Sequence, residues 1–107
     1  TCWGDAGGIG ALMRTILARK HDAPPGSYTR RLFDDPLLLR AKLLEEAGEL
    51  MQADTVSHAA WEAADLLYFA FVAAARKGAT LADIESELDR RALRVVRRAG
   101  NAKGGQA

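Results

Sequence analysis

The sequence predicts an all-α fold, a bundle of four or five helices. Apolar residues recur at helical spacing through most of the 107 residues. Proline and glycine fall mainly between those stretches, and no run alternates apolar with polar residues for long enough to make a strand. With 49% hydrophobic and 27% charged residues, the chain has the balance of a folded globular domain rather than a disordered one.

Taken in order, a first helix is expected over about 9–20, with Leu12, Ile16 and Leu17 on one side. It must end before Ala23-Pro24-Pro25-Gly26, which cannot remain helical. Ser27 to Phe33 reads as an irregular or extended segment. Asp35 is a good N-cap and Pro36 suits a first helical position, so a second helix should run over about 36–53. Its expected buried face is Leu43, Ala47, Leu50 and Met51. After the connector Asp54-Thr55-Val56-Ser57, with Ser57 as the expected cap, a third helix runs to about Lys77 and stops at Gly78. Thr80 with Asp83 resembles a capping box and opens a final helix to about Arg98. The expected organisation is a leading remnant or linker at 1–8, a helical domain at 9–99 and a flexible tail at 100–107.

Composition also limits function. Fifteen Lys plus Arg against fourteen Asp plus Glu give a net charge of +1, so there is no electrostatic case for nucleic-acid binding. The single cysteine, Cys2, excludes an internal disulfide framework and an all-cysteine zinc site. His21 and His58 are too few for a dense histidine site. The longest nearly apolar run, Ala63 to Ala75, is interrupted by Asp65 and shorter than the ~20 residues of a spanning helix. The opening Thr1-Cys2-Trp3-Gly4-Asp5 has no basic or apolar signal region, so a cytoplasmic protein beginning inside a longer chain is expected.

The helix after Ser57 is apolar around nearly its whole circumference, from Ala63 to Val72. Such a helix must be covered on all sides. Three short companions cannot do that alone, and a second copy of the chain is the simplest remedy, so a homodimer is expected with this helix near its interface.

Two carboxylate clusters carry the candidate chemistry. Lys42, Glu45, Glu46 and Glu49 form one stripe along a helix, which taken alone reads first as a solvated face. Glu62 and Asp65 lie three apart on the apolar helix, with Asp65 expected among Trp61, Tyr68, Phe69 and Val72. An ionised carboxylate there needs a partner. Either an arginine of the last helix, Arg90 or Arg94, forms a buried ion pair with it, or the residue belongs to a site. The short connector makes the two acidic helices antiparallel neighbours, so their carboxylates have the chance to converge. Converging carboxylates repel without a cation, whereas with Mg²⁺ or Mn²⁺ they form the oxygen-only site that hard cations prefer. Such sites act on phosphates, and a spare carboxylate serves as general base towards water. No Ser/His/Asp or Cys/His set is in evidence, and Gly7-Gly8 lacks the Lys-Ser/Thr of a phosphate loop.

Glu45-Glu46-x-x-Glu49 followed by Glu62-x-x-Asp65 resembles the EExxE…ExxD signature of the all-α, MazG-like nucleoside triphosphate pyrophosphohydrolases. Within that superfamily the sequence is similar to phosphoribosyl-ATP pyrophosphohydrolase of histidine biosynthesis. Pro25-Gly26-Ser27-Tyr28-Thr29 with Leu32, Leu39 to Glu46, and Trp61 to Phe69 carry the resemblance, which spans most of 9–99. It implies a MazG-like bundle and Mg²⁺-dependent hydrolysis of phosphoribosyl-ATP to phosphoribosyl-AMP and pyrophosphate. By position it implies Glu46, Glu49, Glu62 and Asp65 as metal ligands, and Glu45 as a further ligand or the base. Lys42 would face the substrate phosphates, and Ser27, Tyr28 and Thr29 would form a substrate-side loop. Residues 31–36 and 97–103 look like the fungal version, one part of a multifunctional chain. Thr1-Cys2-Trp3-Gly4 is similar to the close of a preceding cyclohydrolase part. Gly48 departs from an ideal helix, at about 1 kcal/mol relative to alanine, and is expected to permit close helix approach. Two other readings stay open from sequence: a MazG-like enzyme for another nucleoside triphosphate, and a non-catalytic helical dimerisation module.

Overall fold

The computed structural model describes residues 7–22, 24 and 26–101, with the side chains of the last helix described as far as Ala92. The described residues form five helices and no strand. These are α1 (Gly8–Asp22), α2 (Tyr28–Asp34), α3 (Pro36–Gln52), α4 (Val56–Arg76) and α5 (Leu81–Asn101). Residues 1–6 and 102–107 lie outside the described residues, and with them Cys2 and most of the expected leader and tail. Of those segments the structure describes Gly7 as a bend, Gly8 as the opening of α1, and Gly100 and Asn101 as the close of α5.

Local chemistry explains the boundaries. Asp35 caps α3 by accepting from the Leu38 amide at 3.1 Å, and Pro36 occupies the first turn. The Thr80–Asp83 box closes reciprocally: the Thr80 amide donates to Asp83 Oδ2 at 2.9 Å and the Asp83 amide to Thr80 Oγ1 at 3.1 Å. Those bonds hold the Asp83 carboxyl below its ordinary pKa. Gly78, at φ 87°, makes the left-handed turn that ends α4.

Two local expectations are corrected. The segment after the prolines is helical rather than extended, because Ser27 takes an extended conformation and accepts from the Arg30 amide at 3.2 Å, opening α2. The cap of α4 is Thr55 rather than Ser57, and its hydroxyl accepts from the His58 amide at 3.1 Å.

Met13, Ile16, Leu32, Leu39, Phe69, Phe71, Val72 and Ala75 form the core, drawn from the first four helices. The chain ties these together at helix ends: Lys20 Nζ donates to the Ala75 carbonyl at 2.8 Å, and Arg76 Nε to the Phe33 carbonyl at 3.0 Å. Leu81 and Ile84 anchor the start of α5 against this core, while Leu88, a turn further on, is exposed.

One face differs from expectation: on α3 the inward row is Leu39, Leu43, Glu46 and Leu50, whereas Met51 is 84% exposed. As expected for the single chain, α4 is not covered all round by its companions: Phe69, Val72 and Ala75 are buried while Val56, Trp61 and Leu67 face outward. Gly48 is exposed and a Cβ added there would meet nothing within 4 Å, so no close approach within the chain requires glycine. No helix among the described residues is long and apolar enough to cross a membrane.

Candidate metal and phosphate site

Helices α3 and α4 form a hairpin across the short connector at 53–55. Glu46 meets Glu62 and Asp65, while Lys42, a turn before Glu46, meets Phe69, a turn after Asp65; the helices are therefore antiparallel. That register converges the acidic residues. Carboxylate oxygens of Glu46, Glu62 and Asp65 all lie within 4.8 Å of one another, and so do those of Glu45, Glu46 and Glu49. Glu46 belongs to both triads and stands at their centre.

The stripe on α3 is thus not a uniform solvated face. Glu46 is only 6% exposed and Glu62 only 7%, whereas Glu45 lies at the exposed rim. Asp65 is half-buried beside these two carboxylates. Arg90 pairs instead with Glu87 on its own helix, and the side chain of Arg94 lies outside the described residues.

Burial without a cation is costly for these groups. Desolvation first, and then the neighbouring Glu62, Glu49 and Asp65, push the Glu46 pKa from 4.5 up to about 7. Desolvation and the charges of Glu62 and Glu45 also raise Glu49. Glu46 Oε1 and Glu62 Oε1 are buried with no hydrogen-bond partner among the described residues. An unsatisfied buried carboxylate oxygen is a defect in a packed protein unless something cationic completes it. A compact set of oxygen donors with two orphaned members fits a hard divalent ion such as Mg²⁺ or Mn²⁺.

Cationic and aromatic groups border the cluster. Lys42 Nζ lies 3.2 Å from Glu45 Oε1, 4.0 Å from Glu46 Oε2 and 5.8 Å from the centre of the Phe69 ring. The hydrogen bond to Glu45 raises the Lys42 pKa above its ordinary 10.5, so the ammonium is charged at neutral pH. Tyr28 stands edge-on to Phe69, with ring centres 6.3 Å apart. Thr29 Oγ1 lies 2.6 Å from the Tyr68 hydroxyl. Of the loop residues picked out by resemblance, Tyr28 and Thr29 therefore reach the aromatic flank of the cluster, while Ser27 serves as the α2 cap.

Sequence reasoning missed one neighbour of the cluster and one contact beside it. His58 Nε2 lies 3.2 Å from Glu62 Oε2, and its spacing of four residues before Glu62 was the available signal. The sequence marks Phe69 only as an apolar neighbour of Asp65, whereas its ring also supports Lys42. Beside Glu62 a shallow hollow opens, lined by Thr55, Ser57, His58 and the exposed Trp61.

Comparison with known proteins matches residues 9–92 to the phosphoribosyl-ATP pyrophosphohydrolase family. The chain is 50% identical to the histidine biosynthesis trifunctional protein of Komagataella pastoris, over 98% of this chain and 12% of that protein. It is 50% identical to the histidine biosynthesis bifunctional protein of Schizosaccharomyces pombe, over 95% of this chain and 24% of the relative. A Rhodopirellula baltica phosphoribosyl-ATP pyrophosphatase is 38% identical, over 75% of this chain and 72% of that protein. No solved structure matches the chain.

Proposed function

The chain belongs to the phosphoribosyl-ATP pyrophosphohydrolase family, and we propose that it hydrolyses phosphoribosyl-ATP to phosphoribosyl-AMP and pyrophosphate, a step of histidine biosynthesis, in the cytoplasm. Glu46 Oε1 and Glu62 Oε1 carry this reading: they are buried, unbonded and surrounded by further carboxylates. Glu46, Glu49, Glu62 and Asp65 would hold Mg²⁺, with Mn²⁺ as a substitute. The ion supplies neutralisation of phosphate charge, which acidic walls alone would repel. Lys42, fixed between Glu45 and the Phe69 ring, adds a positive charge at the rim where the phosphate chain enters. Glu45 is exposed and next to that rim, placed to take the proton of the attacking water. Tyr28 and Thr29 flank the same rim from α2 and would contact the nucleotide.

The chain spans 12% of the trifunctional relative's length, so we read it as one catalytic part of a multifunctional polypeptide that includes a cyclohydrolase part. We also propose that two copies associate through the outward face of the α3–α4 hairpin, where Leu37, Leu44, Met51, Val56 and Trp61 are exposed.

Pyrophosphate release, assayed with phosphoribosyl-ATP against a panel of nucleoside triphosphates and with or without Mg²⁺, tests the assignment. Mg²⁺-dependent release with preference for phosphoribosyl-ATP is expected. Equal rates across the panel would overturn the substrate, and no release from any of them would overturn the enzyme.

A further inference from the structure

We propose that Tyr68 is a positioning residue for the substrate, its hydroxyl latching the start of α2 to α4 beside the carboxylate cluster. The inference rests on the reaction proposed above. It begins with α2 itself, a helix of 7 residues that is far too short to hold its own place. Where Tyr28 and Thr29 stand relative to the carboxylates is therefore decided by what α2 touches. Thr29 Oγ1 and the Tyr68 hydroxyl are 2.6 Å apart in a half-buried setting, a side-chain bond between residues 39 apart in sequence.

Beyond the bond, Tyr68 and Phe69 pack edge to face at 5.1 Å, and Phe69 meets Tyr28 on one side and the Lys42 ammonium on another. Lys42 in turn reaches Glu45 and Glu46. A continuous chain of contacts thus runs from the first turn of α2 to the centre of the acidic cluster. A nucleotide whose phosphates lie at Lys42 and the carboxylates would extend its sugar and base end along this aromatic flank. Tyr68 does not touch the reacting atoms in this arrangement; it sets where Tyr28 and Thr29 meet the far end of the ligand. Loss of such a contact weakens ground state and transition state alike, so it appears in KM and not in kcat.

Tyr68→Phe keeps the ring and its packing on Phe69 and removes only the hydroxyl. With this chain and phosphoribosyl-ATP, KM should rise roughly five- to tenfold, the effect of one hydrogen bond, with kcat and the Mg²⁺ requirement unchanged. Thr29→Val, which also alters a residue placed against the nucleotide, should raise KM at least as much, adding Tyr68→Phe to it should raise KM no further, and Thr29→Ser, which keeps a hydroxyl, should recover most of the loss. A lowered melting temperature with unaltered KM, or a loss confined to kcat, would overturn the latch and leave the bond merely structural. Hydrolysis by the unaltered chain tests the reaction separately. If it fails, amide hydrogen exchange decides: faster exchange over 28–31 in Tyr68→Phe, without change over 42–49, upholds the latch, and unchanged exchange over 28–31 overturns it.

Discussion

Glu46 of α3 and Glu62 of α4 stand together across the helix hairpin, each more than nine-tenths buried and each with an Oε1 atom that no described residue satisfies. Two such groups in one pocket are a stability defect for the ion-free chain and a binding site for a cation. The same geometry therefore predicts opposite effects of charge removal with and without metal. In the ion-free chain Glu62→Gln should raise the melting temperature, because it relieves repulsion and gives Glu46 a donor. With Mg²⁺ present the unaltered chain should gain stability, about 2.7 kcal/mol at a hundredfold excess over Kd, since the ion binds the folded cluster and not the unfolded chain. Thermal scans of both proteins with EDTA and with Mg²⁺ check this; an equal Mg²⁺ response in Glu62→Gln would remove Glu62 from the ion site.

The raised Glu46 pKa gives a pH dependence with a definite sign. A carboxyl whose folded pKa lies above its unfolded one holds its proton more tightly when folded. Its stabilising contribution is complete below 4.5 and disappears as pH rises through about 7. Glu49 is raised too and acts in the same direction. Melting temperatures measured in EDTA should therefore fall in the unaltered chain, relative to Glu46→Gln, across that window. Mg²⁺ binding should strengthen over the same interval, because the proton and the ion compete for one carboxylate. A constant difference between the two proteins would show that Glu46 titrates normally.

Asp65 separates catalysis from folding. It is half-buried, lies within 4.8 Å of Glu46 and Glu62 through its carboxylate, and does not depend on Arg90, which pairs with Glu87. Asn has the same size but no charge for the ion. Asp65→Asn should reduce turnover roughly a hundredfold or more and leave far-ultraviolet circular dichroism unchanged. Activity retained within a fewfold of the unaltered chain would assign Asp65 a structural role.

Four of the five helices and most of their boundaries were legible because caps and breakers are local: Asp35-Pro36, Thr80 with Asp83, and Gly78 each act within one turn of themselves. The convergence of the acidic motifs was legible for a similar reason, since a three-residue connector leaves two helices few ways to pack. Other features depended on tertiary register. The α3 row could rotate by one position, which exchanged Met51 for Glu46 on the inner face. Ser27 and Ser57 both stand at helix starts, yet only Ser27 caps one, because Thr55 captures the α4 start two residues earlier and leaves Ser57 inside its first turn. The Thr29–Tyr68 bond joins positions whose spacing carries no periodic signal at all.

The outward face of α3 leads to a prediction about assembly. Leu37, Leu44 and Met51 recur at intervals of seven, and Ala41 and Gly48 fall between them, giving the alternating four-and-three spacing of a helix–helix seam. Leu37 is 77% and Leu44 63% exposed, so this seam has no partner among the described residues. A second copy placed antiparallel about Leu44 would set Leu37 against Met51 and the small residues Ala41 and Gly48 near each other, which lets the helices approach. Leu44→Asp would bury a charge at the centre of that contact, while in an isolated chain it alters only an exposed position. In sedimentation at micromolar concentration the unaltered chain should run as a dimer and Leu44→Asp as a monomer of unchanged helix content. The acidic cluster lies on the inner side of the hairpin, so the ion-induced rise in melting temperature should survive the substitution. An unaltered chain that sediments as a monomer, or a variant that remains dimeric, would rule out this seam as the interface.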